Sequence, residues 1–265
     1  MKFWLVAASV LRRLMPASLR SRVRQFLFAW LRLQWVFPSG IDIRIANYGE
    51  WIVYNEVFVA GEYDRALALA FDRAAPSGRT PHVVDLGANV GFFTLRVLHE
   101  ARQRGTSARV TAIEAHPALA ARFRARVDPQ RAPAEQVRLV QGLAGARSGT
   151  ALFYEDTVQA SGSTQVEGRR PGRRQGTAMR LSYVDLSAIT DGEPFVDLIK
   201  CDIEGSEEQV IENYGDLFAK AGVAVFELHR DLCDVARCQE MLRGCGFTHA
   251  ATLREGMNFT YLVWR

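Results

Sequence analysis

The sequence predicts an α/β fold: a doubly wound, mostly parallel sheet with one antiparallel strand near its edge and a helical N-terminal arm. Three observations carry that expectation. From residue 82 onward, β-rich runs alternate with helical periods, the pattern of parallel strands joined by crossover helices. The ends of these runs carry glycines and acids, where an open sheet of this kind places its ligands. The last two runs flank a tight turn at Glu255-Gly256, so they pair antiparallel.

The chain has 265 residues and a net charge of +4, unevenly spread. Residues 1–40 hold Lys2, Arg12, Arg13, Arg20, Arg22, Arg24 and Arg32 and no acid, +7 in all, which leaves −3 for the remainder. An acidic body argues against a nucleic-acid partner. Residues 3–11 are apolar, but the arginine pair follows them and only Lys2 precedes them, the reverse of a secretion signal. No run reaches the ~18 apolar residues of a membrane span. Leu19, Val23, Phe26, Leu27, Trp30 and Leu31 recur at helical spacing, with arginines between them. Residues 1–47 therefore read as a basic amphipathic arm. Two readings of it stand open: a helix packed on the body with its arginines outward, or a helix lying on a membrane surface or a partner.

Residues 48–265 form the body. His82–Leu86 is the first strand, followed by a helical period over 89–100. Residues 110–114 are the second strand, with Pro117 at the first position of the next helix. Residues 137–140 and 195–201 make the third and fourth. The helix after the fourth opens at Ser206, with Gln209 completing a capping box and Gly222 as its closing residue. Residues 223–226 are the fifth strand, a helix runs from 231 to about 243, and 247–253 and 258–264 close the sheet. Residues 141–190 are a polar insertion, a loop or lid over the active edge, with two extra strands (151–155 and 178–184) around a glycine- and arginine-rich middle. Cys201, Cys233, Cys238 and Cys245 show no metal or redox spacing and read as reduced thiols of a cytoplasmic protein.

The first strand leads into Asp85-Leu86-Gly87-Ala88-Asn89-Val90-Gly91, whose glycine spacing is not that of a dinucleotide site. An acid at its start suits a ligand with an amino group and little phosphate. Glu114 ends the second strand, where a carboxylate accepts hydrogen bonds from both ribose hydroxyls. A nucleoside without a diphosphate fits this set better than NAD. The fourth and fifth strands end in Lys200-Cys201-Asp202-Ile203-Glu204-Gly205 and Glu227-Leu228-His229.

The block from Asp85 to Thr94, the run from Asp197 to Glu207, the segment from Glu56 to Tyr63, and Glu227-Leu228-His229 together resemble the FkbM-type family of S-adenosylmethionine-dependent methyltransferases. The similarity covers residues 48–265 and departs at Cys201, where an aliphatic residue is common. It implies a class I methyltransferase-like, Rossmann-like sheet. It implies S-adenosylmethionine over Asp85, Gly87, Ala88, Asn89 and Gly91, with Glu114 on the ribose. Leu143 and Ala144 would border the adenine, and Glu62 and Tyr63 would cover the methionine end. Members of this family methylate hydroxyls of sugars and secondary metabolites, so a small-molecule or glycan hydroxyl is the expected acceptor.

A hydroxyl must lose its proton at or before transfer, which calls for a general base. Residues two apart share a strand face, which groups Lys200 with Asp202 and Glu227 with His229. His229 or Asp202 is the expected base, with Glu204, Glu227 and Lys200 as positioning or charge-balancing groups. The alternatives are helix capping by Asp202 and Glu204, and a purely structural His229. Asp202 and Glu204 offer too few oxygens for a hard cation, and the cysteines with His229 lack zinc spacing, so no metal is expected. Arg169, Arg170, Arg173 and Arg174 either meet an acidic acceptor or are solvated. Competing functions are methylation of nucleic acid or protein, and a non-catalytic S-adenosylmethionine-binding or recruitment module.

Overall fold

The computed structural model describes residues 28, 30, 31, 33–154, 178–256 and 258–265. An antiparallel hairpin comes first, β1 (Leu33–Val36) with β2 (Asp42–Ile45), in register from Leu33 opposite Ile45 to Val36 opposite Asp42. Helix α1 (Tyr48–Tyr54) follows. Its Asn47 cap accepts the Glu50 N–H at 2.9 Å while Glu50 accepts the Ala46 N–H at 2.6 Å, a reciprocal cap. The helix widens into a π turn (Asn55–Val59), and α2 (Asp64–Ala74) leads to the sheet.

The sheet elements then alternate: β3 (His82–Leu86), α3 (Phe92–Gln103), β4 (Arg109–Glu114), α4 (Pro117–Val127) and β5 (Gln136–Gln141). A second hairpin, β6 (Thr150–Tyr154) with β7 (Ala178–Ser182), and one helical turn, α5 (Leu186–Ile189), precede β8 (Val196–Cys201). Two short helices, α6 (Glu207–Asn213) and α7 (Gly215–Ala219), lead to β9 (Ala221–His229). Then come α8 (Val235–Gly244), β10 (His249–Arg254) and β11 (Asn258–Trp264).

The main sheet has seven strands in the order β10-β11-β9-β8-β3-β4-β5, and β11 alone runs opposite to the other six. Alternate residues of each strand feed two cores. Val83, Val110 and Leu198 pack with α2, α3, α4 and the first hairpin; Val84, Ile113 and Ile199 pack with α6, α7 and α8. Cys201 belongs to the second core, so its departure from an aliphatic residue is one of packing, and all four cysteines are unpaired. Among the described residues no helix is long and apolar enough to cross a membrane.

The expected strands are present, and four details differ. Gly222 lies inside β9, not at a helix end, and a Cβ there would come 2.8 Å from the Phe195 ring, so it is packing that favours glycine. The preceding helix is broken at Tyr214, whose buried hydroxyl donates to the Ala146 and Val184 carbonyls, each at 3.2 Å. Ser206 makes no side-chain cap, and the last helix begins at Val235, capped by Asp234.

The expected helical arm also needs correction over 33–45. These residues form the first hairpin, and Ile41, Ile43 and Ile45 are buried in the same core as α2 and α3. The D-I-R-I alternation of β2 is a period of two, which turns both isoleucines inward. Residues 1–27 of the arm and the middle of the insertion, including Arg169, Arg170, Arg173 and Arg174, lie outside the described residues. The two strands expected at the root of the insertion are β6 and β7.

Candidate active site

The chain leaves β3 toward one face of the sheet and β8 toward the other, so the neighbouring C-terminal ends of these strands open a crevice. Gly87 lets them approach. Its φ is +77°, and a Cβ there would sit 1.8 Å from the Asp202 carbonyl oxygen. The Gly87 and Ala88 N–H groups both donate to the Ile113 carbonyl, at 3.0 and 2.9 Å, which ties this loop to β4. Gly91 closes the loop at φ +92° with its Cα against Phe123 and Val127 of α4, so it packs the following helix and does not line the crevice.

The crevice is a cleft open to solvent at its mouth. Its polar wall is formed by Asn89, Glu114, Asp202 and Glu204. Its apolar wall is formed by Ile113, Leu119, Leu143 and Ala144. Leu143 is fixed by bonds with the segment after β7: its N–H donates to the Ser182 carbonyl at 2.9 Å, and its carbonyl accepts the Val184 N–H at 3.0 Å. The root of the insertion thus holds one side of the crevice.

Glu114 is buried at the end of β4, with one oxygen accepting the Asn89 N–H and the other the His116 N–H, both at 2.7 Å. Burial raises its pKa, while these two N–H bonds pull it down. A carboxylate offers about four acceptor positions, so lone pairs remain on both oxygens for a ligand in the crevice. His116 caps α4 by accepting the Ala118 N–H on Nδ1, just before Pro117.

Asp85 and Lys200 lie beneath the crevice floor and not on it. Asp85 is fully buried, accepts the Thr94 hydroxyl at 3.0 Å and faces Lys200 Nζ at 3.4 Å. Lys200 also donates to the Gly87 carbonyl at 2.7 Å and lies 3.6 Å from Asp202. Burial works against its charge, but Asp85 and Asp202 outweigh burial and hold its pKa above the ordinary value. The amino-group contact expected of Asp85 is therefore already made by a lysine of the same chain. Asp197, at the other end of β8, is held by Arg79 in a two-pronged ion pair and is a structural acid.

His229 is sandwiched between carboxylates, with Nδ1 2.9 Å from Glu207 and Nε2 3.1 Å from Glu204. Burial opposes its charge, but the two carboxylates outweigh burial and push its pKa up to about 12. Ionised carboxylates only accept, so both ring nitrogens carry hydrogens. With Nδ1 and Nε2 both held by carboxylates, the ring turns neither nitrogen freely to an acceptor, an arrangement that favours a positioning role over that of the expected base. Glu207, absent from the expected site residues, is the centre of this arrangement. Fully buried, its Oε1 also accepts the Gly205 N–H at 3.1 Å and the Ile203 N–H at 3.3 Å. It holds the loop in which Glu204 adopts φ +54°.

A second acidic group lies around Tyr63, which is buried edge-on to Phe93 at 5.1 Å. Burial raises the Tyr63 pKa well above its ordinary value, reinforced by the charges of Asp202, Glu227, Glu62 and Glu56. Glu62 is bonded to Thr260 and to Arg254, and Glu227 accepts the Asn258 side-chain N–H at 2.5 Å. Burial first, and then the charge of Asp202, push the Glu227 pKa up to about 8. Asn258 and Arg254 were missed because β10 and β11 read only as sheet. Asp202, Glu204 and His229 place ligand atoms within 4.8 Å of one another. That is three donors where hard cations take six or more, and Glu204 is bonded to the histidine.

Among solved structures, the chain is similar to the methyltransferase FkbM from Methylobacillus flagellatus KT, at 15% identity, over 70% of this chain and 44% of that one, with a TM-score of 0.49. Monomeric WbdD is similar at 14% identity over 77% and 41% of the two chains, with a TM-score of 0.44. Magnesium protoporphyrin IX methyltransferase from Synechocystis PCC 6803, solved with bound SAM, is similar at 13% identity over 82% of both chains, with a TM-score of 0.44. This chain spans less than half the length of the first two. No curated protein matches the sequence significantly. The family model of the methyltransferase FkbM domain matches residues 85–248, from within β3 to the residue before β10 and more than half of the chain. The chain belongs to the FkbM methyltransferase family.

Proposed function

We propose that the protein transfers a methyl group from S-adenosylmethionine to a hydroxyl of a sugar, glycolipid or secondary metabolite, with a carboxylate taking the proton. The observation that carries this reading is the convergence of Glu114 and Asp202 on one crevice at the strand switch point. The residues present fit the cofactor. Glu114 keeps lone pairs for a vicinal diol, and Gly87 and Asn89 line the same crevice. Ile113, Leu119, Leu143 and Ala144 offer an apolar wall for a flat base. Ala88 and Gly91 support the loop from behind, and Glu62 and Tyr63 bound the acidic side, on which a positively charged end of the ligand is favoured.

S-Adenosylmethionine, when bound, supplies a methyl group already activated on a sulfonium, so the protein's task is alignment and proton removal. Asp202 lines the crevice, and Glu227 stands behind it with its pKa near 8, suited to a base at neutral pH. We assign the proton to this pair. Lys200 balances Asp202 from below, and the Glu204–His229–Glu207 chain fixes the loop that carries Asp202. We read the four unpaired thiols as those of a cytoplasmic protein.

The test is calorimetric titration with S-adenosylhomocysteine beside a turnover assay on hydroxylated glycans. Glu114→Ala is expected to lose cofactor affinity. Asp202→Asn and Glu227→Gln are expected to keep it and slow transfer by roughly 10²–10⁴. Unchanged affinity in the first removes the ribose assignment, and full turnover in both others removes the base.

A further inference from the structure

The large hydrophobic side chains left exposed among the described residues all fall between residues 30 and 59: Trp30, Leu31, Val36, Ile52 and Val59, between 42% and 73% exposed. The seven-stranded body contributes none of them. Val36, Ile52 and Val59 belong to elements whose other side is already packed. In β1, Leu33 and Trp35 turn toward the core and Val36 away from it. In α1, Tyr54 is buried and Trp51 meets Phe28 at 6.0 Å, which leaves Ile52 outward. In the π turn, Val57 is buried, Phe58 stacks on Tyr54 at 5.4 Å, and Val59 faces out. The inward faces are satisfied, so these outward residues contribute nothing to the core, and a surface helix ordinarily carries polar groups there.

The sequence running into this module is of one charge. Residues 1–32 hold seven lysines and arginines and no acid. Exposed Trp, Leu, Ile and Val next to an uninterrupted basic segment match the two requirements of an anionic bilayer surface, apolar anchors at the headgroup boundary and cations against the headgroups.

We propose that the module of residues 28–59 docks on an anionic lipid surface, with Trp30, Leu31, Ile52 and Val59 as anchors and the basic residues of 2–32 as the electrostatic partner. This reading does not depend on methyl transfer. One consequence does rest on that activity. Val59 lies three residues before Glu62, which is bonded to Thr260 of β11 beside the Glu227 pair, so docking brings the mouth of the crevice near the lipid surface. A membrane-borne hydroxyl is then the favoured acceptor.

The experiment is co-sedimentation of the full chain with vesicles of phosphatidylcholine alone and of phosphatidylcholine mixed with phosphatidylglycerol. Binding is expected only to the mixed vesicles, to fall with salt, and to weaken roughly fivefold for each of Arg20→Gln, Arg22→Gln and Arg24→Gln. Ile52→Glu combined with Val59→Glu is expected to weaken it by about tenfold or more. S-Adenosylhomocysteine affinity and circular dichroism serve as the controls for folding, and loss of vesicle binding with those retained supports the proposal. Absence of binding to the mixed vesicles, or binding unchanged by the double substitution, overturns it. A concentration-dependent dimer dissolved by the same double substitution, without vesicle binding, also overturns it and assigns the face to a second copy.

Discussion

A methyl group at position 87 would lie 1.8 Å from the Asp202 carbonyl oxygen, on a residue whose φ is already +77°. Gly87→Ala is therefore expected to cost about 3 kcal/mol, from overpacking and left-handed backbone together. Gly78 has a similar φ of +63° with nothing within 4 Å of a built Cβ, so Gly78→Ala should cost only about 1 kcal/mol. Urea unfolding of the two variants separates the packing cost from the backbone cost. His229 makes a prediction in pH. Its folded pKa, near 12, lies above the ordinary 6.5, so the folded state holds the extra proton between those values. Its contribution to stability is complete below about pH 6.5 and is lost as pH rises toward 12. The urea midpoint should fall across the alkaline range in the wild type and less steeply in His229→Asn, which should also be weaker at neutral pH because Glu207 is left buried without its partner. The strand period put Lys200 beside Asp202 in the sequence, and the structure has them 3.6 Å apart. The same period could not show that His229 meets Glu207, a contact across 22 positions between a strand end and the first turn of α6.

Elements were legible where a period ran long enough. The strands from β3 to β11 were readable because each is bracketed by glycine, proline or a helical run. The first hairpin was not, since its strands of four residues sit directly after a basic helical pattern, and LQWV fits either period. The break between α6 and α7 was hidden for a different reason: it follows from the Tyr214 hydroxyl finding two carbonyls far away in the chain. If the hairpin is integral to the fold, Ile43→Ala should destabilise the protein by about 2–5 kcal/mol within a single transition, because Ile43 is fully buried in the core shared with α2 and α3. An early, separate transition monitored by tryptophan fluorescence, with the main one unmoved, would show the hairpin to be an appendage.

At the level of the whole molecule, the two cores share one sheet, so a ligand bound across the switch point touches loops that depend on both. Saturation with S-adenosylhomocysteine at 100 times its Kd should add about 2.7 kcal/mol. That corresponds to a rise of roughly 5–10 °C in Tm for a chain of this size, readable by scanning calorimetry. Glu114→Ala should remove most of the rise. The charge imbalance is one of sequence: the basic residues of the first forty positions precede the stretch that supplies the acids of the crevice, so the pI near 9.0 describes the N-terminal sequence and not the site.

The pairing of β3 with β8 also has a consequence in time. Val83 lies opposite Leu198, and Leu86 opposite Cys201. These partners are about 115 positions apart, whereas β3 meets β4 after fewer than 30. Closing the longer loop carries the larger entropic cost, and contacts so distant in sequence form slowly. During refolding, the β3–β4 pair is therefore expected to form before the β3–β8 pair that gives the crevice its two walls, a delay that hydrogen-exchange labelling of the two pairs would read.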